Sequence, residues 1–167
     1  MTQKELNETL KSLAEKYAQF AKEHLGANLV SVALFGSVAR GEATPNSDID
    51  LLLVCVDLPK GMFKRHALLE PVREQLQSDL EGLWKQGAYV DFTELIYTKD
   101  EANGFHWVYL DMLEDVVLLY DDGGFLHGVF ERLRERLSEL GAQRKRLGKI
   151  RYYDLKPDLK PGEVVEL

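Results

Sequence analysis

Between residues 34 and 54 the chain reads LFGSVARGEATPNSDIDLLLV, and two carboxylates in that run stand two residues apart. Side chains alternate along a strand, so Asp48 and Asp50 point to one face and Ile49 to the other. Two carboxylates side by side repel each other, and neither sheds its water readily. A divalent cation between them removes both difficulties. Upstream, Gly36-Ser37 interrupts an apolar strand and opens a short helix. Glycine lets backbone come close, and the free N–H groups of a helix start bind phosphate. A phosphate cradle beside a carboxylate pair is the chemistry of a metal–nucleotide site.

The elements that must hold these residues follow from apolar spacing. Thr2 and Glu5 have the T-x-x-E spacing of a capping box, and Leu6, Leu10, Leu13, Tyr17 and Phe20 recur at helical intervals up to Gly26. Strands are expected at 29–35 and 49–56, with a turn at 57–61. A helix over 63–86 buries Leu69, Val72, Leu76, Leu80 and Leu83, and Pro71 either kinks it or marks its first turn. AYVDFTELIY, residues 88–97, reads as a strand in which Asp91 lies between Val90 and Phe92. A charge embedded there needs a partner, unless the strand start is open to water. Glu94 is its rival but has the opposite parity. A short helix over 99–114, a strand over 116–120, a turn at Asp121–Gly124 and an amphipathic helix over 125–140 complete the body.

The expected fold is α+β: a mixed sheet of four or more strands flanked by helices, mainly on one side, with Asp48 and Asp50 on the open face. Residues 1–149 form the domain, and 150–167 an extended C-terminal arm. Pro157 and Pro161 forbid a helix in that arm, and Tyr152, Tyr153, Leu155, Leu159, Val164 and Val165 need a surface, on the domain or on a partner.

Composition narrows the function classes. The chain has 167 residues, with 45% apolar and 29% charged, as in an ordinary globular domain. Its one cysteine, Cys55, sits inside an apolar strand and suits a small core residue. There is no signal-peptide core and no apolar run long enough for a membrane span, so a cytoplasmic protein is expected. The net charge of -7 argues against general nucleic-acid binding. Residues 130–160 run against that trend, with a local excess of five positive charges.

The run Gly36, Ser37, Ala39, Arg40, Gly41, Ser47, Asp48, Asp50, Leu51, Leu52 resembles the nucleotidyltransferase superfamily, and within it the minimal nucleotidyltransferase (MNT) branch. The resemblance implies a DNA polymerase beta-like fold and Mg-dependent transfer of a nucleoside monophosphate, AMP from ATP most simply, with release of pyrophosphate. It implies that Asp48 and Asp50 hold magnesium. Asp91 then becomes the third carboxylate, sharing a second ion and taking the acceptor's proton. Gly36, Ser37, Arg40 and Ser47 become nucleotide-binding residues, although Arg40 suits a structural pair with Glu42 equally well. Related enzymes carry a helical module for the acceptor. The residues after the fourth strand are too few for one, so the acceptor surface is expected from the arm, a second copy or a partner. Members of the MNT branch are often encoded beside a HEPN protein and act as antitoxins. The alternative to an enzyme is therefore a module that masks such a partner, with or without adenylylating it.

Overall fold

The computed structural model describes all 167 residues. Helix α1 (Gln3–Leu25) begins on its capping box. Thr2 Oγ1 accepts from the Glu5 N–H at 3.2 Å, and the Thr2 N–H donates to Glu5 Oε2 at 2.7 Å. Strand β1 (Leu29–Phe35) leads into the one-turn helix α2 (Gly36–Arg40), and β2 (Ile49–Cys55) returns beside β1. Helices α3 (Met62–Ala67) and α4 (Glu70–Lys85) carry the chain over to β3 (Phe92–Thr98). Then come α5 (Lys99–Asn103), α6 (Trp107–Met112), β4 (Val117–Asp121) and α7 (Phe125–Glu139). A hairpin of β5 (Gln143–Leu147) and β6 (Ile150–Asp154) ends the regular structure.

The sheet order is β3-β2-β1-β4. β1 is antiparallel to both neighbours, whereas β2 and β3 run parallel and need the α3–α4 crossover between them. Val32, Leu34, Leu51 and Leu53 face α1 and α4, while Ala33, Leu52 and Val54 face Tyr109, Phe130 and Leu133 of α6 and α7. Both faces are thus covered, which corrects the expectation of helices mainly on one side. The physical reason is in the strands: LVSVALF and LLLVC are apolar without alternation, as strands buried on both faces must be. No helix is long and apolar enough to cross a membrane.

Other boundaries move for local reasons. Pro71 stands in the first turn of α4, where its missing N–H costs nothing, and the chain breaks before it into a separate α3. Residues 88–91 precede β3 rather than belonging to it. Residues 99–114 divide into α5 and α6, each shorter than two turns.

The C-terminal segment differs most. It is not an extended arm from residue 150, because Gly148-Lys149 forms the two-residue turn of the hairpin, with Gly148 at φ 61. The hairpin therefore straddles the expected boundary. Tyr153, Leu155 and Leu167 pack against the α6–α7 side of the core, whereas Tyr152, Leu159 and Val164, also expected to need a surface, stay exposed.

Candidate active site

The site is built where β1 ends and β2 begins. Phe35 is the register partner of Asp50, so the chain turns into α2 directly beside the Asp50 carboxylate. Gly36 has φ 73, and a Cβ placed on it would lie 2.2 Å from Asp50 Oδ2. Both the backbone conformation and the contact therefore demand glycine. Asp50 is half-buried. Its carboxyl is held above the usual carboxylate range, first by burial and then by the charge of Asp48, with Arg40 pulling the other way.

Asp48 is exposed at the head of the same strand. Its Oδ2 accepts from Thr93 Oγ1 at 3.4 Å, and Thr93 is itself the register partner of Asp50 on β3. The two carboxylates thus share one face at the uncovered end of the sheet, as their spacing predicts. Thr93 escaped the sequence reading. Pairing DIDLLLV in parallel with FTELIYT would have placed it there.

Asp91 lies elsewhere. It precedes β3 opposite Asp48, and its carbonyl accepts from the Ile49 N–H at 2.8 Å. Its carboxylate turns away from β2. Oδ1 accepts from the Phe92 N–H at 2.7 Å, and the residue lines a recess along α4 with Arg73, Gln77 and Trp84. β3 is the edge strand on that side, so the Phe92 N–H has no ladder partner and Asp91 supplies one. The structure brings Asp48 and Asp50 together and does not bring Asp91 to them.

The remaining residues are scaffolding and rim. Ser37 is half-buried in the first turn of α2, and its carbonyl accepts from the Glu42 N–H at 2.8 Å. Ser47 Oγ accepts from the Thr44 N–H at 2.8 Å and fixes the turn that delivers Asp48. Arg40 pairs with Glu42, Nε to Oε2 at 2.9 Å. Asn7, which has no motif to announce it, is buried on α1. Its Nδ2 donates to the Val38 carbonyl at 3.1 Å and its Oδ1 accepts from the Ala43 N–H at 3.2 Å. One amide thereby ties α2 and the connection to β2 onto the long helix. Asp121 is a cap rather than a ligand: its carboxylate accepts from Ser31 Oγ at 2.6 Å and from the Leu126 and His127 N–H groups at the start of α7.

This donor set fits magnesium. It is two carboxylates, not a cluster of three or more acids, histidines or cysteines. Magnesium is commonly held by one or two carboxylates together with water and substrate phosphate oxygens. The raised Asp50 carboxyl shows that burial and Asp48 outweigh the help that Arg40 gives. In front of Gly36 a cavity of about 550 Å³ opens, walled on its far side by the β5–β6 hairpin. That volume lies within the range of small-ligand sites.

The family model described as "Nucleotidyltransferase domain" matches residues 14–109, which include Gly36, Ser37, Asp48, Asp50 and Asp91. A protein of Methanocaldococcus jannaschii, provisionally named a protein adenylyltransferase, is 30% identical over 126 residues, 75% of this chain and 81% of that one. Among solved structures, a toxin–antitoxin crystallised with AMP-PNP gives a TM-score of 0.46 at 17% identity, covering 77% of this chain and 92% of that chain. A tri-AMPylated Shewanella oneidensis HEPN toxin in complex with MNT antitoxin gives 0.43 at 14%, covering 79% and 92%. With more than half of its length inside the family model, and the Gly-Ser and Asp-x-Asp elements meeting in space, the chain belongs to the nucleotidyltransferase domain family and is a nucleotidyltransferase.

Proposed function

We propose that the protein transfers AMP from ATP, with magnesium, to a hydroxyl group on another protein, and that it works in the cytoplasm. The observation that carries this reading is the Asp50 carboxylate lying against Gly36 with Asp48 beside it. Bound there, magnesium would neutralise charge on the triphosphate and on the leaving pyrophosphate. Asp48 and Asp50 would hold the ion, and Gly36, having no side chain, leaves room for the Asp50 carboxylate. Ser37 donates to a phosphate oxygen, and Ser47 sets the turn that aims Asp48.

In the reaction the acceptor oxygen forms a bond to the α-phosphorus, the bond to pyrophosphate breaks, and the hydroxyl proton must leave. Asp91 is the nearest further carboxylate along the sheet. It would take that proton, and help to hold a second ion, only by releasing the Phe92 N–H and turning toward Asp48. The name of the M. jannaschii relative supports a protein acceptor. Resemblance to the MNT branch points to a HEPN-type protein as that acceptor or partner.

The test is transfer of label. With magnesium and a candidate HEPN-type protein, ATP labelled at the α-phosphate should label the acceptor, and ATP labelled at the γ-phosphate should not. Asp50→Asn should abolish the signal. Label arriving from the γ-position, or equal labelling by Asp50→Asn, would sink the proposal. Nucleotide binding without transfer to any acceptor would favour a masking module.

A further inference from the structure

Five cationic residues line the cavity in front of Gly36: Arg40 from α2, and Arg144, Arg146, Lys149 and Arg151 from the hairpin. Three carboxylates, Glu42, Asp111 and Asp115, share the wall, so the lining is net positive although the chain is net negative. Hairpin register explains the concentration. Arg144 is paired with Tyr153 and Arg146 with Arg151, and directly opposed residues share a face. Arg144, Arg146 and Arg151 therefore stand together on one face. On the other, Lys145 is neutralised by Asp154 at 2.8 Å.

Like charges directly opposite each other in a two-stranded ribbon are destabilising. Arg146 and Arg151 are such a pair, and the ribbon has only two strands to hold it. The one acid bonded to either is Glu42, whose Oε1 accepts from Arg151 at 3.2 Å and which is shared with Arg40. Arg146 donates from Nε to the Gly148 carbonyl at 3.0 Å, which neutralises nothing. Arg144 is better held, lying over the Tyr153 ring at 4.7 Å, within 3.4 Å of Glu114 and bonded to the Leu110 carbonyl. It anchors the hairpin and leaves a cationic rim in which Arg146 and Lys149 have no acid partner and Arg151 shares Glu42 with Arg40.

We infer that this hairpin face is a polyphosphate clamp: Arg146, Lys149 and Arg151 close over the β- and γ-phosphates of a nucleoside triphosphate whose α-phosphate lies at Asp48 and Asp50. The inference rests on the nucleotide reading of the carboxylate site and adds to it a phosphate-binding wall from outside the matched family segment, which ends at residue 109. Guanidinium groups suit this task because they present parallel donors to phosphate oxygens and hold their charge throughout. A clamp on the β- and γ-phosphates also stabilises pyrophosphate as it departs. It would make the site favour triphosphate over monophosphate without any contact to the base.

Binding of ATP, AMP and inorganic tripolyphosphate to the full chain tests this, in the wild type, in Arg146→Ala/Lys149→Ala and in Asp50→Asn. Both hairpin residues are exposed, so the double variant should fold, and its melting temperature should equal or exceed that of the wild type because the Arg146–Arg151 repulsion is gone. Expected are a loss of ATP affinity of about tenfold or more, with AMP affinity unchanged, from the removal of charge-assisted contacts. Tripolyphosphate without magnesium should bind the wild type and Asp50→Asn but not the double variant. Unchanged ATP affinity in the double variant, a parallel loss of AMP, or no tripolyphosphate binding to the wild type would overturn the clamp. Normal Mg-ATP binding by Asp50→Asn would instead overturn the carboxylate reading, leaving the clamp to stand on the tripolyphosphate result.

Discussion

Two acidic sites lie on opposite faces of one sheet, a strand apart, and the protein treats them in opposite ways. On the α1–α4 face, the Glu94 side chain is wholly buried and fully partnered. Arg73 Nε donates to its Oε1 at 2.8 Å, Arg73 Nη2 donates to Oε2, and the Tyr17 hydroxyl donates to Oε1 at 2.9 Å. Arg73 is held above its ordinary range, chiefly by its hydrogen bonds to Glu94, and the Tyr17 hydroxyl is pushed far up by burial and then by the Glu94 charge. On the other face, Asp48 and Asp50 sit side by side with one threonine hydroxyl at 3.4 Å and Arg40 committed to Glu42. The contrast separates structure from function. A carboxylate buried in the fold is given its cation within the chain, whereas Asp48 and Asp50 have no side-chain ion pair of their own, which is what the proposed magnesium role requires.

Breaking each site should therefore cost different things. Glu94→Ala leaves Arg73 without its partner inside the α1–α4 interface and should destabilise by about 3–5 kcal/mol. In a domain of this size that lowers the melting temperature by about 6–20 °C, read directly by thermal denaturation. Asp48→Ala should produce no loss of that kind. A drop in melting temperature for Asp48→Ala matching that for Glu94→Ala would dissolve the contrast.

Asp91→Asn separates the two steps within the proposed site. The asparagine Oδ1 still accepts from the Phe92 N–H, so the fold and the Mg-ATP affinity should survive. Transfer should fall by about 10²–10⁴-fold if Asp91 takes the acceptor's proton. Full transfer by the variant would leave Asp91 as the cap of an edge-strand N–H, which is the role its position here displays.

Ligand linkage sharpens the comparison further. At about one hundred times its dissociation constant, Mg-ATP should stabilise the wild type by about 2.7 kcal/mol, a shift of about 5–11 °C. Either component alone should do little. Asp48→Asn and Asp50→Asn should lose the shift while starting from an unimpaired melting temperature. Loss of the Mg-ATP shift in Glu94→Gln, measured while that variant is still folded, would show that the two faces are not independent.

Much of this was legible in the chain. The capping box at Thr2 and Glu5, both central strands, and the Asp48–Asp50 face follow from spacing alone, because a strand at period two and a cap at three residues leave little freedom. Glu94 was separated from the site by parity, although its partners Arg73 and Tyr17, 21 and 77 residues away, could not be. What was missed depends on tertiary position. Asp91 reads as a third carboxylate by motif, and what spacing could not show is that its carboxylate accepts from the free N–H of an edge strand. Coverage of both sheet faces is written in the unbroken apolar runs of β1 and β2. The hairpin was hidden by composition, since QRKRL and IRYYD are rich in charge and lack the apolar alternation that usually marks strands. The signal was the Gly-Lys pair between them.

The smallest expected effect tests the charge balance itself. The folded Asp50 carboxyl titrates above its ordinary value, so the folded state holds that proton more tightly than the unfolded chain does. Wild-type stability from this group is then greatest below the unfolded value of about 3.9 and declines as pH rises through the window up to the folded value. The amide that replaces it in Asp50→Asn cannot ionise. The melting temperature of Asp50→Asn minus that of the wild type should therefore be least at acid pH, grow across that window and level off above it. Magnesium with ATP should close the gap by stabilising only the wild type. Glu101 supplies the opposite sign. Its carboxyl is lowered to about 2, first by the Arg65 hydrogen bonds and then by the Thr98 N–H. Its contribution is present above the unfolded value of about 4.3 and is lost as pH falls through about 2. Glu101 is 42% exposed although Arg65 is mostly covered, so solvent screens the pair in part, and Glu101→Gln should cost a few tenths to about 1 kcal/mol at neutral pH and nothing well below pH 2. Two variants whose stability differences move in opposite directions with pH would distinguish a carboxylate waiting for a metal from one already neutralised. Parallel pH curves would show that Asp50 already has its counter-charge within the chain.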